Sequence, residues 1–318
     1  MATIMVPVMA AFERDLLTNL KLLEEIVKPA GHEIGLGVIG KPSHFLEQEQ
    51  RAKMIGNLNK YAKGLKIASH QWSGNVIYDP SPGNLAFSDL RTERGRKVIN
   101  CGVDFAVEAI NTGIVPENQE VYVHTHGGDI YFGKRMPENE LQYDRALIRQ
   151  NLVDASNRNP RVIIGLENLP HFPNSDDPEL INFPEKIGRS VFECLGDYKE
   201  AVEGTKLKLT FDTAHYGYEF PIGDKIDLVS AIDIFGEHLR HVHISDAKGY
   251  WAPYVSIAGD GLVPGQGKIG EEEFIRFFRH LRNNYDLSKV SIEAEVQDAD
   301  YQNPKNRRET LKRIVKWL

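Results

Sequence analysis

RVIIGLEN, residues 161–168, is after Arg161 an apolar run that turns polar only at its last two positions, Glu167 and Asn168. Such a run suits a parallel strand covered on both faces, which leaves its polar residues at the C-terminal end. The same shape recurs on both sides of it. Before it come TIMVPVM (3–9), EIGLGVIG (33–40), LKIASH (65–70) and EVYVHTH (120–126); after it come LKLTFDT (207–213), RHVHISD (240–246) and KVSIEAE (289–295). Between these runs lie segments of helical spacing, among them 13–28, 47–62, 145–156 and 271–282, with NRRETLKRIVKWL (306–318) closing the chain. Strict alternation of strand and helix predicts an α/β protein whose residues 1–318 form a single (β/α)8 barrel, the TIM-barrel fold, as one domain. A doubly wound open sheet is the alternative, but no glycine-rich phosphate loop follows the first strand.

Composition agrees with a globular enzyme-sized domain. The chain has 318 residues, of which 41% are hydrophobic and 26% charged, so it can bury a large core without staples. Cys101 and Cys194 suggest neither a metal pair nor a disulfide framework, and a reduced, cytoplasmic setting is expected. The apolar N-terminus lacks a preceding basic residue, which reads against a signal peptide, and no apolar stretch is long enough to span a bilayer. The net charge of −7 argues against a protein that tracks a phosphate backbone. One basic cluster, Arg91, Arg94, Arg96 and Lys97, has the spacing of the start of a solvated helix.

A barrel of this kind places its chemistry where strands end and the following loops begin. His70, His124, His126, Glu167, Asp212, His215, His241, His243, Glu293 and Glu295 all fall at such ends. Residues two apart on a strand share a side, so His124/His126, His241/His243 and Glu293/Glu295 are paired by position. Any one of these residues could be a hydrogen-bonded structural group. Together they crowd ionisable side chains into one mouth, and a bound dication is the simplest neutraliser of converging buried carboxylates.

The motifs IGLEN around Glu167, FDTAH around Asp212 and His215, HISDAKG from His243, PGQGKIG at 264–270 and IEAE around Glu293 resemble the xylose isomerase-like barrels. That group includes sugar and sugar phosphate isomerases, epimerases and the endonuclease IV family acting at abasic DNA sites. The likeness runs from about the third strand to the eighth. It implies a divalent metal, one of Zn, Mn, Co or Mg, held by Glu167, Asp212, His243 and Glu293. His70 and His126 match the histidines with which endonuclease IV holds an additional zinc. The Asp-x-His pair that completes a third zinc in endonuclease IV is missing from WAPYVSIAGDGLVPG, where Asp260 stands without its histidine.

The resemblance therefore implies a metal-dependent isomerase or epimerase of a small sugar, sugar phosphate or related carbonyl compound, working through an enediolate. Glu167 and Glu293 are expected as its acid and base. His215, Lys248 and Trp72 are expected to contact substrate, with Tyr250 and Trp251 walling the pocket. An abasic-site phosphodiesterase is the alternative reading, a non-catalytic sugar-binding barrel a third, and dehydratase or lactone chemistry could use the same metal site. The expected partner is a small molecule rather than nucleic acid or a membrane, and a homo-oligomer is compatible with the sequence.

Overall fold

The computed structural model describes residues 1–40, 42–71, 90–126, 130–132, 136–169, 188–220, 223–248, 261–300 and 302–318. Eight parallel strands close into a barrel: β1 (Thr3–Val8), β2 (Glu33–Gly40), β3 (Lys66–Gln71), β4 (Val121–His126), β6 (Val162–Glu167), β8 (Lys208–Asp212), β9 (Leu239–Ile244) and β10 (Ser291–Ala294). β1 closes the ring by pairing with β10 on one side and β2 on the other. These are the eight runs read from the sequence, with ends shifted by a few residues at most.

The helices pack around the strands: α1 (Glu13–Ile26), α2 (Pro42–Leu46), α3 (Gln48–Tyr61), α4 (Glu93–Asn111), α5 (Glu138–Ser156), α6 (Leu195–Val202), α7 (Thr213–Tyr218), α8 (Leu228–Phe235), α9 (Glu271–Asn284) and α10 (Lys305–Trp317). α5 begins well before the residue at which its apolar spacing becomes visible. Pro137 occupies its N-cap position and Glu138 and Glu140 its first turn, where carboxylates favour the helix dipole. α4 begins inside the basic cluster: the Thr92 hydroxyl accepts the Gly95 N–H at 3.0 Å, and Arg91 is ion-paired with Asp144. Two short strands that the alternation does not announce, β5 (Ile130–Phe132) and β7 (Gly188–Ser190), pair antiparallel between the loops after β4 and β6.

Alternation along the strands sorts the side chains. Val121, Val123, Ile164, Leu166, Leu209, Phe211, Val242, Ile244, Ile292 and Ala294 join the apolar core shared with the helices, where Phe105, Phe274, Phe277 and Phe278 are fully buried. The alternate positions carry Tyr122, His124, Gly165, Glu167, Thr210, Asp212, His241, His243 and Glu293. Near the base of this lumen, glycine makes room for large partners. A Cβ on Gly165 would lie 2.2 Å from the Tyr122 ring, and one on Gly37 would lie 2.1 Å from a Glu293 carboxylate oxygen. Cys101 and Cys194 are both free, and no helix among the described residues is long and apolar enough to cross a membrane.

Two glycine substitutions separate lumen crowding from helix propensity. Gly165→Ala should destabilise the fold by about 1–3 kcal/mol, because the rigid Tyr122 ring must move. Gly56→Ala, in the exposed middle of α3 with nothing near its added methyl, should stabilise it by about 0.5–1 kcal/mol. Urea unfolding with unchanged slope would read both, and equal midpoints for the two variants would refute the packing argument.

Candidate metal centre

The strand register brings the polar ends level. His126 stands beside Glu167, which stands beside Thr210. Asp212 stands beside His243, which stands beside Glu293. The centre of the arrangement is the Glu167 carboxylate, which is fully buried. One of its oxygens lies 2.9 Å from His70 Nε2 and 3.7 Å from His126 Nε2. The other lies 3.1 Å from His243 Nδ1 and 3.4 Å from His215 Nδ1.

The motif residues around Glu167 hold this ring of side chains in place. Asn168 locks β6 to β8: its side-chain carbonyl accepts the Asp212 N–H at 2.7 Å, and its amide donates to the Asp212 carbonyl at 3.1 Å. The Asn168 backbone carbonyl sits 2.9 Å from His215 Nδ1, which sets the orientation of that ring. Asp212 caps α7, with Oδ1 accepting the His215 N–H at 2.7 Å, so Oδ2 remains to face His243 at 3.7 Å. Asp246 organises the next loop. Its carboxylate accepts the N–H groups of Ala247, Gly265, Gly267 and Ile269 at 2.8–3.0 Å, which pins PGQGKIG beneath HISDAKG. Sequence reasoning singled out neither Asn168 nor Asp246 as functional; the signal available was their place inside the two motifs.

Of the four residues expected to hold a metal, three lie together. Glu167, Asp212 and His243 come together with Glu295, and one donor atom from each lies within 4.8 Å of the others. Glu295 Oε2 is 2.8 Å from His243 Nδ1. Glu293 groups instead with His124, His241 and His243, and its carboxylate turns to His241 Nε2 at 3.2 Å and lies against Gly37. The physical reason is depth. Glu293 lies within β10, whereas Glu295 follows its last residue, Ala294, and its N–H turns back to the Glu293 carbonyl at 3.1 Å, so its side chain stands at the exit of the strand. The sequence shows the pair and not the depth. A third group, His70, His126 and Glu167, lies beside the quartet and shares Glu167 with it. His215 borders both through Glu167, and Lys248 is exposed at the end of the HISDAK segment. Trp72, Tyr250, Trp251 and Asp260 lie outside the described residues.

Charge within the cluster is tightly balanced. Burial alone would drive Glu167 to its neutral form, but His243, His126 and His70 outweigh it and hold the carboxyl well below its usual range. Burial likewise opposes a charge on His70 and His243. Glu167 reverses that for His70, and Glu295 with Glu167 does so for His243, raising both. His126 faces the same carboxylate at longer range, and there burial wins, pulling it down to about 3. A dication in place of the imidazole protons would meet neutral imidazoles and ionised carboxylates, the donor set of zinc, manganese or cobalt. The residues present therefore fit one dication on Glu167, Asp212, His243 and Glu295, and a second on His70, His126 and Glu167.

A model of the family described as xylose isomerase-like TIM barrel matches residues 30–318. Among curated proteins, none matches the sequence. Solved structures share the fold across nearly the whole chain. Endonuclease IV from Thermus thermophilus is 17% identical with a TM-score of 0.57, covering 99% of this chain and 98% of its own. A D-tagatose 3-epimerase-like protein is 18% identical with a TM-score of 0.57, covering 99% and 97%. D-allulose 3-epimerase from Methylomonas sp. is 13% identical with a TM-score of 0.57, again covering 99% and 97%.

Asp212→Ala and Glu295→Ala should each cost the protein a bound divalent cation, counted by plasma emission after dialysis against zinc. Full occupancy in either variant would remove that residue from the ligand set. Asn168→Ala should weaken zinc by about 10–100-fold without abolishing it, since it orients ligands rather than serving as one.

Proposed function

The chain belongs to the xylose isomerase-like TIM barrel family, and from that premise we propose that it is a metal-dependent isomerase or epimerase of a small sugar, sugar phosphate or related carbonyl compound. The observation that carries this reading is the convergence of Glu167, Asp212, His243 and Glu295 at the barrel mouth. A dication held there would act as a Lewis acid, easing removal of a carbon-bound proton next to a carbonyl.

The proton-transfer roles follow from exposure. Glu293 is expected from the sequence as one of the acid–base pair, but its side chain is 1% exposed and turned to His241 at 3.2 Å. Glu295 keeps 34% of its side chain exposed at the mouth, so it is the carboxylate able to meet a substrate proton. Glu167, wrapped by four imidazoles, serves as a ligand and as the partner that keeps those rings oriented. His215, at the rim and fixed by Asn168, is placed to orient a substrate hydroxyl, and Lys248 to meet a hydroxyl or phosphate. We assign the enediolate-forming proton abstraction to Glu295 in place of Glu293.

One observation favours a second reading. Glu167 belongs to two donor groups, and two dications sharing a carboxylate form a clamp suited to in-line displacement at a phosphodiester. Against this stand the net charge of −7 and the engagement of Arg91 by Asp144, because a grip on duplex DNA comes mainly from Lys and Arg free to neutralise phosphates.

Protein reconstituted with cobalt or manganese should wash solvent deuterium into at least one member of a panel of ketoses and their phosphates. It should leave an abasic duplex intact at moderate salt. Efficient strand incision with no exchange into any sugar would reverse the order of the two readings. In the exchanging case, Glu295→Gln should lower kcat by at least about 100-fold, the lower range for loss of an acid–base group.

A further inference from the structure

One layer below the mouth, four side chains converge that the proposed reaction does not use as a set: His124, His241, His243 and Glu293. All four are buried, with at most 1% exposure. One donor atom from each lies within 4.8 Å of the others. Their unpartnered buried atoms are His124 Nε2, His241 Nε2, His243 Nε2 and Glu293 Oε2, one from every member. Buried polar atoms without partners are uncommon, and four from one cluster call for a common partner.

The surroundings prepare these atoms as ligands. His124 Nδ1 is held at 2.9 Å by the Thr210 hydroxyl, and His241 Nδ1 at 2.6 Å by the Ser291 hydroxyl. The Ser291 hydroxyl also lies 3.4 Å from the Arg240 carbonyl, to which it can donate while it accepts from His241. His241 Nε2 faces Glu293 Oε2 at 3.2 Å without the alignment of a hydrogen bond. In the tautomer that carries its proton on Nδ1, His241 turns a lone pair toward that oxygen, and a cation between the two would bind both. Hydrogen bonding of the remote ring nitrogen is the usual means by which a protein fixes a metal-binding imidazole. His243 presents Nδ1 to the mouth quartet, which leaves Nε2 for the lower group.

We propose that the barrel interior holds a separate transition-metal site formed by His124, His241, Glu293 and the Nε2 of His243, distinct from the mouth centre and sharing with it only the His243 ring. Three imidazoles and one carboxylate select a borderline dication such as zinc, cobalt or iron over magnesium or calcium. Ligand atoms around a tetrahedral zinc stand about 3.3–3.4 Å apart, so the rings close in modestly on binding. A cation shared across His243 displaces its ring proton to solvent. This site stands whether the mouth performs isomerisation or hydrolysis.

The test uses the full chain stripped with chelator and dialysed against cobalt(II), with metal counted by plasma emission and coordination read by X-ray absorption. Wild type should hold one more cobalt per chain than His241→Gln or His124→Gln, with folding checked by circular dichroism. The double variant Glu167→Ala/Asp212→Ala, which cripples both mouth groups, should retain one cobalt with three imidazole ligands and lose it when His241→Gln is added. Equal cobalt counts in wild type and the inner variants would overturn the site, as would a mouth double variant that binds no cobalt. If the inner variants fail to fold, the mouth double variant decides alone.

Discussion

The Glu167 carboxylate is the constraint around which the rest is arranged. An isolated carboxylate in a dry interior costs far more than a fold can spare, so it needs partners within hydrogen-bonding reach. Four imidazoles supply them, from β3, β4, α7 and β9. Each can reach it only if the strand or helix that carries it keeps its place in the barrel. Removing one partner of a buried charge pair costs about 3–5 kcal/mol, so the register of these strands and the state of the mouth are energetically linked.

The lumen is graded from base to mouth. The inward layers of such barrels are commonly filled by branched apolar side chains. Here Tyr122 is housed by Gly165 at the base, a layer of His124, His241 and Glu293 lies above it, and the carboxylates Glu167, Asp212 and Glu295 gather at the mouth. His243 joins the upper two layers, one ring nitrogen toward each. A polar lumen is costly to fold, which makes its hydroxyl and backbone partners, such as Thr210, Ser291 and Asn168, as necessary as the ionisable groups they orient.

Much of what looks like a catalytic motif is joinery. In FDTAH, Asp212 caps a helix while offering its second oxygen to the mouth, and Thr213 ties β8 to the end of β9 through the carbonyls of His243 and Ser245. In HISDAKG and PGQGKIG, Asp246 gathers four backbone N–H groups, and Gly267 is required because a Cβ there would lie 2.3 Å from the Ala247 carbonyl. Such residues build the frame of the site. Fold and motif can therefore agree closely among proteins whose substrates differ, and function has to be argued from the groups left facing the mouth.

The strands, their order and the side on which each ionisable residue lies follow from the sequence alone. Apolar runs that turn polar at one end admit few arrangements, and two-residue periodicity assigns faces without any knowledge of contacts. That is why the histidines and carboxylates at the strand ends could be gathered into one mouth from residue order, while the choice of His70, His126, Glu167, Asp212 and His243 among them came from the resemblance. Depth could not be. Glu293 and Glu295 have the same side and neighbouring positions, and only the closure of β10 against β9 and β1 shows that Glu293 pairs with His241 under Gly37 while Glu295 reaches the mouth. The strand pair β5–β7 was equally hidden, since three-residue strands in loops leave no periodic trace. Local pattern decides which way a side chain points; the stagger of a closed barrel decides whom it meets, because it sums contributions from strands far apart in the chain.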